Sequence, residues 1–305
     1  MVRTVFVNGE YLPETEGKIS IFDRGFLFAD GVYEVSAVIN GKLVDYTAHM
    51  ERLGRSLKEL RMAWPCSREE LDTMHHELIR RNELAEGIIY MQVTRGAADR
   101  TFNFPKGDVK PTLIAFTQAM SLVSNPNAVT GIKVVTTPDL RWARRDIKTV
   151  MLLAPALGKQ EAYEKGAQEA WMVEHGFVTE GTSSNAYIVK DGKVITRHLS
   201  NEILAGCTRR ALMRLAKEEG VEIVERKFTV EEALAADEAF LTSASQFVMP
   251  IVEIDGHRIG QSMAMIEYLD ETRPEPPLLP RDAALRAQVR DFKDQIVADI
   301  HPLNN

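Results

Sequence analysis

The sequence predicts an α/β protein of two domains, on three observations. Its 305 residues, 45% of them apolar, exceed the roughly 100 to 200 residues over which one core ordinarily forms. Short runs of β type are interleaved with segments of helical apolar spacing. A stretch with many turn formers and no period, Ala119 to Thr130 with Ser124-Asn125-Pro126-Asn127 at its centre, divides the two halves. The expected boundaries are 1–119 for a first α/β domain, 120–130 for a linker, 131–260 for a larger second domain and 261–305 for a helical tail.

Within the first domain, residues 1–45 alternate β-type runs with the turn pairs Asn8-Gly9 and Asn40-Gly41, which predicts a meander of tight hairpins. Thr47 is the expected cap of a helix carrying Met50, Leu53, Leu57 and Leu60 on one face and ending at Pro65. Ser67 and Glu70 form a capping box for the next helix, whose stripe is Leu71, Met74, Leu78 and Ile79, continuing to about Leu84. Strands are expected over 88–94 and 111–117. Beyond the linker, strands near Ile132, Ala170, Ala186, Val194, Val221 and Ala239 alternate with helices over about 150–165 and 205–219.

A formal charge of −7, without blocks of like charge, disfavours nucleic acid as a partner. No run approaches the roughly 18 apolar residues of a membrane span, and the N-terminus does not read as a signal peptide. Cys66 and Cys207 are the only cysteines and lie far apart in sequence, which predicts ordinary buried thiols and a reduced, cytoplasmic setting. His75 and His76 would point about 100° apart on a helix, so no metal ligation is expected of them, and no metal site is predicted anywhere.

GxGxxG, GxxxxGK[ST], HExxH, CxxC and GxSxG are all missing. Three loops have the small and hydroxyl residues that let an anion approach backbone N–H groups: Thr179 to Asn185, Ala205 to Thr208 and Thr242 to Ser245. Taken singly, each reads first as a plain N-cap or turn. The run Arg141 to Lys148, RWARRDIK, ends in a lysine flanked by Ile147 and the apolar Val150-Met151-Leu152-Leu153. Such a lysine is either semi-buried and tuned for Schiff-base chemistry or one that snorkels beside a solvated turn.

Taken together, the segments DRGFLFADGVYEV from Asp23, HMERL from His49, QVTRGAADRTFNFP from Gln92, DLRWARRDIKTVMLL from Asp139, KQEAYEKG from Lys159, VTEGTSSN from Val178, EILAGCTRR from Glu202 and LTSAS from Leu241 resemble the class IV aminotransferases, most closely the D-amino-acid transaminases. The resemblance covers roughly residues 1–260. It implies the type IV fold of pyridoxal 5'-phosphate enzymes: a small α/β domain and a larger, β-barrel-like domain with helices, with the cofactor between them. It also implies a homodimer whose active site is shared between subunits, acting on amino-acid and 2-oxo-acid substrates.

Residue by residue, the resemblance implies that Lys148 is the Schiff-base lysine and the group that shuttles the substrate proton. Glu180 matches the carboxylate that pairs with the pyridine nitrogen. Arg52 matches the phosphate arginine, with Gly206, Cys207, Thr208, Ala244 and Ser245 in the phosphate cup. Leu204 matches the apolar residue under the ring, and Ser183, Ser184 and Asn185 lie in the cofactor-side loop. For substrate, Tyr33 and Arg100 match a carboxylate trap, with Arg100 supplied by the partner subunit, and Val35 matches a pocket wall. Phe102 stands where a trap histidine is usual and Ala37 where a lysine is found, which implies a weaker grip on carboxylates and more tolerance of apolar groups.

The expected reaction is transfer of the amino group of a D-alanine- or D-glutamate-type amino acid to a 2-oxo acid. The alternatives within the fold are an (R)-selective amine transaminase, a branched-chain L-amino-acid transaminase and aminodeoxychorismate lyase. From a different class, the alternative is a non-catalytic cofactor-binding or interaction protein. Residues 261–305 resemble instead a fragment of zeta-class glutathione transferase, or maleylacetoacetate isomerase, lacking that family's catalytic serine segment, so no transferase activity is implied.

Overall fold

The computed structural model describes residues 2–259, which lie in one compact unit. The expectations for the tail fall outside the described residues. The elements in chain order are β1 (Thr4–Val7), β2 (Glu10–Pro13), α1 (Arg24–Phe28), β3 (Gly31–Ile39), β4 (Lys42–Leu43), α2 (Tyr46–Glu59), α3 (Arg68–Arg81), β5 (Glu86–Thr94) and β6 (Thr112–Ala119). There follow α4 (Asn127–Thr130), β7 (Ile132–Pro138), α5 (Leu153–Glu164), β8 (Glu169–Glu174), β9 (Phe177–Gly181), β10 (Asn185–Lys190), β11 (Lys193–Thr196), α6 (Cys207–Glu218), β12 (Ile223–Glu225), α7 (Val230–Leu234), β13 (Glu238–Ser243), β14 (Phe247–Ile254) and β15 (His257–Arg258).

The first six strands form an antiparallel sheet in the order β2-β1-β6-β5-β3-β4. Asn8-Gly9 and Asn40-Gly41 do turn hairpins, with φ of 50° and 103° at the first pair and 51° and 70° at the second. The meander expected over residues 1–45 is not formed, because α1 intervenes and the two hairpins close opposite edges of the sheet. One face of the sheet buries Val32, Met91, Val93, Leu113 and Ala115 against Met50, Leu53 and Leu57 of α2 and Leu71, Met74 and Leu78 of α3. The alternate residues Tyr33, Val35, Tyr90, Gln92 and Phe116 sit half-buried on the other face.

Both limits of α2 differ from expectation. Thr47 is not the cap of α2: the helix begins at Tyr46, whose ring meets His75 edge-on at 5.1 Å, and Asp45 occupies the cap position without a side-chain bond. Nor does Pro65 end it, because Arg61 turns left-handed at φ 53° and Met62 N bonds back to Leu57 O. The Ser67–Glu70 capping box is present in both directions. His75 is buried, with Nδ1 2.7 Å from Leu71 O, and burial holds it down at about 4, whereas His76 is exposed.

The other nine strands form a sheet ordered β12-β11-β10-β13-β14-β7-β8-β9, with β15 paired to β14. β9 and β10 sit five places apart in that order, about 24 Å across a flat sheet. Only Thr182, Ser183 and Ser184 join them, a span of at most about 14 Å. The sheet therefore curls until β9 returns beside β10, and the loop 181–185 is drawn to its rim. Trp171, Val178, Ile188, Phe228, Leu241 and Ile251 fill the interior.

Candidate active site

The segment before α5 determines where Lys148 lies. The apolar run predicts a helix from about residue 150, but residues 148–150 are bonded to β3: Tyr33 N donates to Lys148 O at 3.0 Å, Val150 N to Gly31 O at 3.1 Å, and Val32 bridges Thr149. These bonds tie the lysine's backbone to the six-stranded sheet, and α5 begins only at Leu153. The Lys148 Nζ lies 4.1 Å from the centroid of the Tyr33 ring, within reach of the ring's quadrupole.

A cleft with a cavity of about 170 Å³ opens around this lysine. It is lined by Tyr33 and Val35 of β3, Arg52 of α2, Lys148, Glu180 of β9, Ser183, Ser184, Asn185, Leu204, Gly206, Cys207, Thr208, Ala244 and Ser245. The three anion-type loops singled out from sequence thus meet in one place. Ala37, Arg100 and Phe102 do not line it. Ala37 is buried within β3, while Arg100 and the exposed Phe102 sit on the 96–110 loop.

One end of the cleft is electropositive. The α6 helix starts at Gly206 with no side-chain cap, so its first N–H groups and the positive end of its dipole face the cleft. A Cβ on Gly206 would fall 2.2 Å from Asn185 Oδ1, so a side chain here would push the Asn185 amide out of its place. Arg52 is aimed at the same end by Glu34, which is fully buried in β3. Its Nε and Nη2 donate to Glu34 at 2.9 and 2.7 Å, Nη1 donates to Ala205 O at 3.0 Å, and His49 Nδ1 lies 2.8 Å from Glu34. Burial alone would raise the Glu34 carboxyl, but Arg52 and His49 overcome it and hold it at about 2. Cys207 is a buried thiol pushed up to about 11 by that burial and so stays protonated at neutral pH, while Cys66 is only half-buried.

Glu180, joined to this region through Asn185 and Leu204, is buried among three donors: Arg141 Nη1 at 2.5 Å, Leu204 N at 3.0 Å and Asn185 Nδ2 at 3.0 Å. Burial nevertheless raises its carboxyl above the ordinary value, with Arg141 and the Leu204 N–H pulling it back. A buried carboxylate of this kind favours a cation placed beside it. Sequence reasoning missed the groups behind it. Asp139 receives Arg141 at 2.8 Å and Thr179 Oγ1 at 2.7 Å, so the RWARR arginines are fixed in ion pairs and do not form a solvated turn. Glu169, also missed, accepts from Thr182 and from Ser184 Oγ at 3.2 Å and pairs with Lys159 at 3.2 Å, fixing the loop between β9 and β10. Strand periodicity does not mark these acids as buried, and nothing local gives their partners.

An amine, an electropositive helix start beside an arginine and a buried carboxylate in one cleft suit a phosphorylated, carbonyl-bearing cofactor with a basic ring nitrogen. The comparisons agree. The family described as amino-transferase class IV matches residues 31–254, and the chain belongs to that family. Its members use pyridoxal 5'-phosphate. D-alanine aminotransferase of Staphylococcus epidermidis is 41% identical over 255 residues, 84% of this chain and 90% of that one. D-alanine aminotransferase of Staphylococcus haemolyticus is 40% identical over 256 residues, again 84% and 90%. Among solved structures, the branched-chain amino acid aminotransferase of T.th. with pyridoxamine 5'-phosphate superposes at a TM-score of 0.80 with 27% identity, covering 90% of this chain and 96% of that one.

Proposed function

We propose that the chain is a D-amino-acid transaminase that moves the amino group of a D-alanine-type substrate to a 2-oxo acid with pyridoxal 5'-phosphate. The observation that carries the reading is Lys148, Glu180 and the Arg52–Gly206 anion site in one cleft, in a chain about 40% identical to enzymes named D-alanine aminotransferase. Bound cofactor supplies an electron sink for the carbanion at the substrate α-carbon. Arg52 and the N–H groups of Cys207 and Thr208 hold its phosphate, with Ala244 and Ser245 closing the cup. Glu180 keeps a proton on the ring nitrogen, Asn185 steadies Glu180, and Leu204 supports the ring. Ser183 and Ser184 shape the rim.

Lys148 Nζ is the acid-base group, which would take the proton from the substrate α-carbon and deliver it to C4′ of the bound cofactor. The Tyr33 ring face stabilises that nitrogen when it is an ammonium. Tyr33 and Val35 wall the substrate side, and Ala37 behind them adds no charge. Because Arg100 does not line its own cleft, its carboxylate role requires a second copy of the chain, and Phe102 enters that site with it. The active form is accordingly a homodimer with shared sites. The free thiols Cys66 and Cys207 support a cytoplasmic setting, and among the described residues no helix is long and apolar enough to cross a membrane. Residues 1–119 and 131–260 act as the two domains that hold the cofactor between them.

The test is the absorbance of the pyridoxal phosphate-loaded protein before and after D-alanine, L-leucine or (R)-1-phenylethylamine. Loss of the visible band with D-alanine alone supports the reading. Loss with L-leucine or the amine alone moves the assignment to another member of the family.

A further inference from the structure

Arg24 and Asp30 lie outside the cleft, yet both are largely buried and paired, Nε to Oδ2 at 2.8 Å. Arg95 binds the same carboxylate through Nε at 2.7 Å and Nη2 at 2.9 Å, and is itself fixed by the carbonyls of Leu60 at 2.8 Å and Arg61 at 3.1 Å. Burial alone would raise the Asp30 carboxyl, and the two guanidinium groups hold it below its ordinary value. The cluster therefore anchors two arginines to the end of α2 on one charged point.

Both arginines reach into the 96–110 loop. Arg24 Nη1 donates to Thr101 O at 2.7 Å, the residue after Arg100. The Arg24 guanidinium carbon lies 4.5 Å from the Phe28 ring centroid, and that of Arg100 lies 5.2 Å from the same centroid. Phe102 meets Phe28 edge-on at 5.7 Å, and Arg95 lies 3.6 Å from the ring centroid of Phe104. The backbone is fastened at the near end by Arg24 N to Gly96 O at 2.9 Å and Ala98 N to Phe22 O at 3.1 Å. Arg100 itself has no carboxylate partner among the described residues. A long cation on a loop would sample many rotamers unless something held it, and here an aromatic ring shared with a buried arginine does so.

We propose that Arg24, acting through Thr101 and the Phe28 ring, is a positioning residue that fixes where Arg100 presents its guanidinium. It thereby sets affinity for substrates bearing an α-carboxylate without touching them. The inference rests on the carboxylate role proposed above for Arg100. Arg24→Lys keeps a cation for Asp30 but loses the fork that reaches Thr101, and Phe28→Leu keeps apolar bulk but loses the ring face.

The experiment measures kcat and KM for D-alanine on loaded enzyme carrying each substitution, alone and combined with Arg100→Ala. Arg24→Lys and Phe28→Leu are each expected to raise KM about five- to tenfold with kcat within about twofold and the cofactor band unchanged, the pattern of lost substrate binding. In the Arg100→Ala background each is expected to add less than about twofold, because the group through which they act is gone. The same factor with and without Arg100, or no change in KM where Arg100→Ala alone raises it, overturns the positioning role and leaves Arg100 as the carboxylate group. An unchanged KM in Arg100→Ala alone overturns the role of Arg100, and the proposal with it.

Discussion

Replacing Glu34 by Gln removes the one negative charge behind Arg52. The carboxyl is held at about 2 against an ordinary 4.5, and at about 1.4 kcal/mol per pH unit this gap amounts to roughly 3 kcal/mol of stability. Breaking a buried pair while leaving its cation uncompensated costs about 3–5 kcal/mol, so two routes give a similar figure. Because the folded value lies below the unfolded one, the contribution is present above pH 4.5 and is lost as pH falls towards 2. Thermal melting at pH 7 should therefore fall by roughly 10 °C in Glu34→Gln. The gap from wild type should narrow as pH drops from 4.5 towards 2, and pyridoxal phosphate should bind more weakly as Arg52 loses its fixed direction. A melting point within about 2 °C of wild type at pH 7, with unchanged cofactor affinity, would refute the claim that Glu34 holds Arg52 in place.

His75 provides a separate acid-sensitive window. Its folded value of about 4 lies below the ordinary 6.5, so the native state resists protonation and loses stability as pH falls from 6.5 to 4. A His75→Asn variant should melt with a shallower pH dependence across that interval, measurable by calorimetry. Gly206→Ala should lower cofactor affinity by tenfold or more, since the added carbon falls 2.2 Å from Asn185 Oδ1 and displaces a donor to Glu180, at about 1.4 kcal/mol per tenfold, read by absorbance titration. Glu180→Gln should retain the cofactor and lose about a hundredfold or more in kcat, as expected when a preorganised charge is removed from the reacting site. Ser67→Ala should lower stability by about 1 kcal/mol through loss of the α3 capping box, with activity unchanged.

What the sequence exposed and what it hid follow from the range of the forces involved. Leu53, Leu57, Leu71, Met74 and Leu78 announced two helix faces because their spacing is local, and the structure buries all five. Asn8-Gly9 and Asn40-Gly41 announced hairpins for the same reason. That these hairpins close opposite edges of one sheet depends on β5 and β6, more than forty residues away, and no local pattern records it. The loops at Thr179, Ala205 and Thr242 were visible as anion-type turns, but their meeting depends on the curl of the nine-stranded sheet. Glu34 and Glu169 were hidden by strand alternation, where a buried acid is indistinguishable from an exposed one until its partner is known. Lys148 acquired a chemical role only through the resemblance of its surroundings as a set.

Every step of the proposed chemistry depends on Lys148 as the residue that carries the cofactor. The direct measurement is to load the protein with pyridoxal 5'-phosphate, reduce it with borohydride, digest it, and locate the added mass by peptide mass spectrometry. The expected result is a label on the peptide containing Lys148 and its absence after prior exposure to D-alanine. A label on any other lysine would contradict the assignment, and a Lys148 label that D-alanine leaves unchanged would contradict the substrate while leaving the lysine in place.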